Sequence, residues 1–352
     1  MKILLVADLR QDSGGPRSVI LSLTSLFKDS NKVKFYLQDT RLPLNMNLNL
    51  SNFDLIHFHE IWNINIIKII KLAEKNGIPY FFTYHGVLNS WSLKRNRLIK
   101  IIFLFLFKKR LFLKSSGFHF LNENEYKEAS LLGINFKNKS FILPNGIEII
   151  DDVKVNNIYK KNSNLRLVYI GRLHPKKGLM SLIDTFKIIK KNDDQINLEV
   201  IGPNSKYKEE FKREINKNSL QSHIFLKDPV YDINEKKKII IESDFFLLPS
   251  YDEADSMAIK ESLSNGTPIM ITKECKFYDV EKNNIGFFIN HNPKDIYNKF
   301  LNVLKINNIK EEYRENCIKF SKENFEITDL GNRYLQNATE IVSGVKYSDN
   351  WL

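Results

Sequence analysis

Short runs rich in Val, Ile, Leu and Phe recur along the chain, separated by longer amphipathic or charged segments. This is the pattern of β-α-β units around a parallel sheet covered on both faces, so the fold class is α/β. The runs predict strands near Ile3 to Ala7, Val33 to Leu37, Phe53 to Phe58, Tyr80 to Thr83, Phe118 to Leu121 and Phe141 to Leu143. A second series follows near Leu165 to Ile170, Ile196 to Ile201, His223 to Leu226, Phe245 to Leu248, Ile269 to Thr272 and Phe287 to Ile289. Between the series, Glu148 to Asn164 is polar, rich in Asn, Lys and Asp, and lacks helical periodicity, which marks a linker. Two doubly wound domains result, and such folds bind ligands at the carboxyl ends of their strands, here across a central cleft.

Composition narrows the function. With 352 residues, 43% of them hydrophobic, the chain can bury a sizeable core, which excludes wholesale disorder and a disulfide mini-scaffold. The net charge of +12 suits a polyanionic partner: nucleic acid, an anionic membrane surface or a phosphorylated substrate. Cys275 and Cys317 form no C-x-x-C motif, and no His cluster stands at metal spacing, so neither a disulfide framework nor a metal site is expected. The cytosol is the natural compartment. The opening MKILLVADLR reads as a buried first strand, since its apolar run is too short for a signal peptide. The longest apolar run, Ile101 to Phe107, is far below the ~18 residues of a spanning helix.

The candidate chemistry gathers in two places of the second domain. Strand Leu165 to Ile170 runs into Gly171-Arg172-Leu173-His174-Pro175-Lys176-Lys177-Gly178 and then an amphipathic helix. Arg172 offers a bidentate fork, Lys177 a point charge and the helix its free N–H groups, which together suit phosphate; the plainer alternative is a solvated basic loop. After strand Phe245 to Leu248, Glu253 lies in a loop and Glu261 inside the following helix, which Asp255 or Ser256 can cap and Gly266 ends. A carboxylate at a strand's carboxyl end can accept hydrogen bonds from sugar hydroxyls, and one on the helix can grip a ribose diol. Taken alone, the pair reads more readily as two ordinary surface glutamates.

These motifs together resemble the retaining glycosyltransferases of the GT-B fold, family four, also called group 1. The resemblance rests on Gly171-Arg172 with Lys177-Gly178, on Glu253 and Glu261, on Asn265-Gly266-Thr267-Pro268, and on Pro144-Asn145-Gly146 before the linker. It implies two Rossmann-like domains, residues 1–150 on the acceptor side and 151–332 binding a nucleotide sugar, with a C-terminal helix near 333–352 packing back on the first. It implies that Arg172 and Lys177 neutralise the donor diphosphate, that Glu253 holds the transferred sugar and that Glu261 binds the ribose. Ser256, Met257 and Asn145 join the donor site by the same resemblance, and no metal or other cofactor is implied. The family usually has Gly where this chain has Asp255 or Ser256, and a Gly near Lys227-Asp228-Pro229, so donor sugar and base stay open.

In the first domain, Gly14 and Gly15 precede a helix and let backbone approach a ligand closely; they resemble the family's loop facing the donor phosphates. His85-Gly86 follows strand Tyr80 to Thr83 and resembles the family's His-Gly beside the donor sugar. Glu125 also resembles a common family glutamate, without an evident role. His57 and His59 share one strand face and are assigned to packing or cleft lining, with Trp62 nearby. Residues 92–116 interleave basic residues with a Phe/Leu/Ile run, as a helix in a membrane interface does, and a core helix with snorkelling lysines is the alternative. The expected activity is metal-independent transfer of a sugar from a UDP- or GDP-linked donor to a saccharide or polyprenyl-linked acceptor, in cell-surface polysaccharide synthesis at the inner face of the membrane. Two rivals remain open on the residues: a nucleotide-sugar epimerase or hydrolase of the same fold, and a basic nucleic-acid-binding protein, for which no recognition motif is present.

Overall fold

The computed structural model describes residues 1–10, 15–42, 49–137, 139–149, 164–305 and 309–344. The chain divides into two units, the first formed by Met1–Glu148 with Glu326–Leu352 and the second by Ile149–Phe325. The linker expected over 148–164 lies almost wholly outside the described residues.

In the first unit the strands are β1 (Lys2–Ala7), β2 (Lys34–Asp39), β3 (Leu55–Phe58), β4 (Tyr80–Thr83), β5 (Gly117–Phe120) and β6 (Ser140–Ile142), interleaved with helices α1 (Gly15–Leu26), α2 (Ile64–Lys75), α3 (Ser90–Lys94), α4 (Arg97–Lys108) and α5 (Glu123–Ser130). The sheet is parallel in the order β2-β1-β3-β4-β5-β6. The four central β3–β5 and β1 strands read as near-continuous apolar runs because helices cover both faces. On one face Ile66, Ile67 and Ile70 of α2 meet Phe58, Phe82 and Phe118 in an aromatic-rich core. On the other, α1 packs with the C-terminal helix of the chain against Ile3, Leu5, Phe81 and Phe141.

The second unit holds β7 (Leu165–Ile170), β8 (Ile196–Ile201), β9 (Ile224–Lys227), β10 (Phe245–Leu248), β11 (Ile269–Thr272) and β12 (Gly286–Ile289), with α6 (Leu182–Asn192), α7 (Lys206–Lys217), α8 (Ile233–Glu242), α9 (Met257–Ser264), α10 (Pro293–Leu304) and α11 (Ile309–Phe325). Its sheet is also parallel, ordered β12-β11-β10-β7-β8-β9, so the direction in which successive strands are added reverses between β7 and β10. That reversal is the position at which doubly wound sheets open a crevice for ligands.

The chain returns to the first unit at Glu326, earlier than the boundary near 332 expected from the sequence. Helix α12 (Ile327–Ser343) starts there because Glu326 caps it through the Asp329 amide and pairs in parallel with Ile147. The whole helix, not only its end beyond 333, is therefore built on the first unit, where Tyr334 and Ile341 join the core.

Candidate functional site

In the second unit the two sequence motifs, more than 70 residues apart, form one structure at the β7/β10 switch. Gly178 has φ +71, and a Cβ there would lie 1.8 Å from the carbonyl oxygen of Pro249, so only glycine lets the turn after β7 press against the loop after β10. The loop is then stitched to the turn: the Tyr251 amide donates to the Lys176 carbonyl at 2.8 Å, and the Ser250 hydroxyl oxygen lies 3.0 Å from the same carbonyl. Lys177 Nζ donates to Glu253 Oε1 at 2.7 Å, and the Ser250 hydroxyl donates to the same oxygen at 2.7 Å. Neighbouring Asp252 sits between Lys176 and Lys276, at 2.6 and 2.9 Å. The structure thus joins the lysine expected at the diphosphate to the carboxylate expected at the sugar. Arg172 stands on the same turn, exposed, its carbonyl accepting the hydroxyl of buried Tyr169 at 2.7 Å.

Helix α9 leaves this loop with Ser256 at its N-cap position, but the Ser256 hydroxyl makes no capping bond. Asp255, the other expected cap, holds an ion pair: it bonds Lys260 Nζ at 2.6 Å, and Lys260 is 1% exposed with its ammonium 4.6 Å from the Phe325 ring. Burial holds the Lys260 ammonium below its ordinary range, while the Asp255 charge opposes that shift. Met257, the first residue of α9, is buried. Glu261 lies on the second turn and pairs with Lys236 of α8, a partner that nothing in the motif announced.

In the first unit, Gly14 lies outside the described residues, and Gly15 is the first residue of α1. Asn145 is buried beside a cavity of about 40 Å³ that His57, His59, Thr83, His85, His119 and Tyr334 also line. His57 and His59, read as packing or cleft lining, belong with two further histidines to a hydrogen-bonded cluster. Leu143 O can only accept, so with neutral rings His119 Nε2 carries the proton it donates there at 2.7 Å, and its Nδ1 accepts from the Thr83 hydroxyl, also at 2.7 Å. Thr83 then accepts from His57 Nε2–H at 2.7 Å, and His57 Nδ1 accepts from the Tyr334 hydroxyl at 2.9 Å. His59 Nδ1 and His85 Nε2 lie 2.9 Å apart, one donating to the other. Burial pushes His57 and His59 well below their ordinary range and His85 down to about 3, and neighbouring histidines add to the effect. The only sign of this cluster in the sequence is a polar residue near the carboxyl end of each of three apolar strands, LIHF, YFFT and GFHF.

Two parallel doubly wound sheets, one with a basic turn and paired carboxylates at its switch point, define a glycosyltransferase of the GT-B fold. Residues 152–324, nearly the whole second unit, match the model of the glycosyl transferases group 1 family, and the chain is a glycosyltransferase of that group. Over 309 residues it is 23% identical to a protein described as an uncharacterized glycosyltransferase, MJ1178, of Methanocaldococcus jannaschii, spanning 87% of this chain and 81% of that one. It is 24% identical over 238 residues to the capsular polysaccharide biosynthesis glycosyltransferase CapH of Staphylococcus aureus, covering 65% of this chain and 61% of CapH. Among solved structures, Anabaena Alr3699/HepE in complex with UDP-glucose superposes with a TM-score of 0.76 at 15% identity, over 97% of this chain and 100% of that one.

Proposed function

We propose that the protein transfers a sugar from a UDP- or GDP-linked donor to a saccharide or lipid-linked acceptor, with retained anomeric configuration, in cell-surface polysaccharide synthesis on the cytoplasmic side of the membrane. The Lys177–Glu253 pair at the β7/β10 switch carries this reading. Before the donor arrives, Lys177 and Glu253 neutralise each other in a half-buried setting. A diphosphate entering beside Lys177 takes over part of its charge, and Glu253 is released toward the sugar hydroxyls. As the glycosidic bond breaks, the leaving diphosphate gains charge, and Arg172 and Lys177 stabilise that state more than the ground state. Glu261 takes the ribose, with Lys236 beside it, while Ser256 and Met257 border the donor at the start of α9. His85 is assigned to the transferred sugar, and Gly15 to the approach of the phosphates. These cations carry the developing charge, so the reading needs no metal. The UDP-glucose complex of Alr3699/HepE and the capsule role of CapH support the donor class and the pathway.

The surface of α4 supports a bilayer contact through 92–116. None of its residues is buried, and Leu98, Ile99 and Phe105 are 76%, 68% and 84% exposed. The segment carries eight Lys or Arg and no acidic residue. An apolar ridge with basic flanks matches the boundary between acyl chains and anionic headgroups.

A thermal-shift panel of UDP, GDP, ADP and their sugars tests the donor site, because a ligand of the folded state raises the midpoint. One nucleotide family is expected to stabilise the wild type and fail with Arg172→Ala, and Glu253→Ala is expected to lose transfer while staying folded. Wild-type transfer in either variant would sink the assignment. Co-sedimentation with anionic but not zwitterionic vesicles tests the bilayer contact, and equal recovery with both would remove it.

A further inference from the structure

We propose that Glu125 is a positioning residue for the transfer reaction, fixing His85 in the backbone conformation that sets its ring at the carboxyl edge of the first sheet. The proposal rests on the assignment of His85 to the transferred sugar. His85 and Gly86 are consecutive left-handed residues, with φ +49 and +74. For histidine that conformation costs of order 1 kcal/mol or more, and it persists only where the surroundings over-determine it. Three successive residues are fastened here. The His85 ring bonds His59, the Gly86 amide donates to Glu125 Oε1 at 2.5 Å, and the Val87 carbonyl accepts Trp62 Nε1–H at 3.3 Å. The second Glu125 oxygen accepts the Leu121 amide at 2.7 Å, so one carboxylate, 4% exposed, ties the loop after β4 to the loop after β5. A charged acceptor with two buried amides makes the strong kind of hydrogen bond.

Helix capping alone does not account for this geometry. Glu125 is the third residue of α5, where a capping-box glutamate returns to the helix start, and its own amide donates to the N-cap Asn122 at 3.0 Å. One carboxylate oxygen stays at that start. The other leaves the helix for the residue that follows His85.

A double-mutant cycle separates the two accounts. Glu125→Gln keeps the shape but turns an NH₂ toward one of the two amides, so one bond is lost. Nucleotide release from the donor sugar that stabilises the wild type is expected to slow at least tenfold per folded molecule, with the nucleotide-induced thermal shift unchanged. The variant combining Glu125→Gln with His85→Ala is expected to be no slower than His85→Ala alone. Asn122→Ala, which removes the cap, is expected to lower the midpoint and leave the rate unchanged. Losses that multiply, or a wild-type rate in Glu125→Gln, overturn the proposal. A wild-type rate in His85→Ala overturns the assignment of His85 itself. Should Glu125→Gln not fold, Glu125→Asp, one methylene too short to span both amides, gives the same readout.

Discussion

At the carboxyl edge of the first sheet the polar side chains are histidines bonded to one another and to hydroxyls; at that of the second they are lysines bonded to carboxylates. Both lie in the same kind of fold, yet they satisfy their polar groups in opposite ways. The histidines stay neutral and pass hydrogen bonds along in one direction. The lysines are each paired with a carboxylate within 3 Å. The first arrangement is open to protons, and the second is open to an arriving anion that competes for the cation. The difference follows the proposed division of labour, in which the second unit receives the diphosphate and the first presents uncharged groups.

The largest expected effect sharpens the charged half of this contrast. Asp255→Ala strips the counter-charge from a lysine that is 1% exposed, and removing one partner of a buried pair costs about 3–5 kcal/mol. Replacing both, as Asp255→Ala with Lys260→Met, is expected to recover most of that loss in denaturant unfolding. A single variant as stable as the wild type would mean that Lys260 reaches another counter-charge or sheds its proton.

Acid breaks the neutral half. His57, His59 and His85 have folded pKa values below the 6.5 of an ordinary histidine. Below that pH the unfolded chain binds protons that the folded unit refuses, so this stability is present above pH 6.5 and is lost as pH falls, for His85 down to about 3. Each such histidine removes up to about 1.4 kcal/mol per pH unit. Trp62 and Trp91 lie in the first unit and residues 149–325 contain no tryptophan, so tryptophan fluorescence follows the first unit. Its midpoint is expected to fall between pH 6.5 and 5 by more than that of the second unit, in which His291 is also lowered. A flat tryptophan profile over that range would show the cluster already protonated or open to water.

The contrast also marks where the sequence was legible. Both sheets follow from local signals, apolar runs bounded by turns, whereas the pairing of Lys177 with Glu253 needs the switch-point topology that presses Gly178 against the loop after β10. The histidine cluster depends on register. His57 faces Phe81, and Thr83 faces His119, only once β3, β4 and β5 are aligned, and Tyr334 arrives from a helix 277 residues away. Asp255 or Ser256 was read as the cap because their positions before α9 suited one; Ser256 makes no capping bond, and a buried lysine five residues on pairs with the Asp255 carboxylate. Lys236 reaches Glu261 from a separate helix, and charge at that distance leaves no spacing signal along the chain.

The smallest effect tests the direction of the histidine chain. Tyr334→Phe removes the proton that His57 Nδ1 accepts and leaves the three bonds beyond it, so it costs one buried hydrogen bond, about 1–2 kcal/mol. Thr83→Val matches the threonine in shape but removes a hydroxyl that accepts from His57 Nε2–H and donates to His119 Nδ1. Two bonds are lost there, and the penalty is expected to be about twice as large, about 2–4 kcal/mol. The comparison has a second arm, because the direction was set from the Leu143 carbonyl, which cannot donate. If the protons ran the other way, His119 would turn a bare nitrogen toward that carbonyl, and Thr83→Val would relieve a repulsion as well as break bonds. The two variants would then be equally stable in urea unfolding, and the neutral ring assignments would have to be reversed.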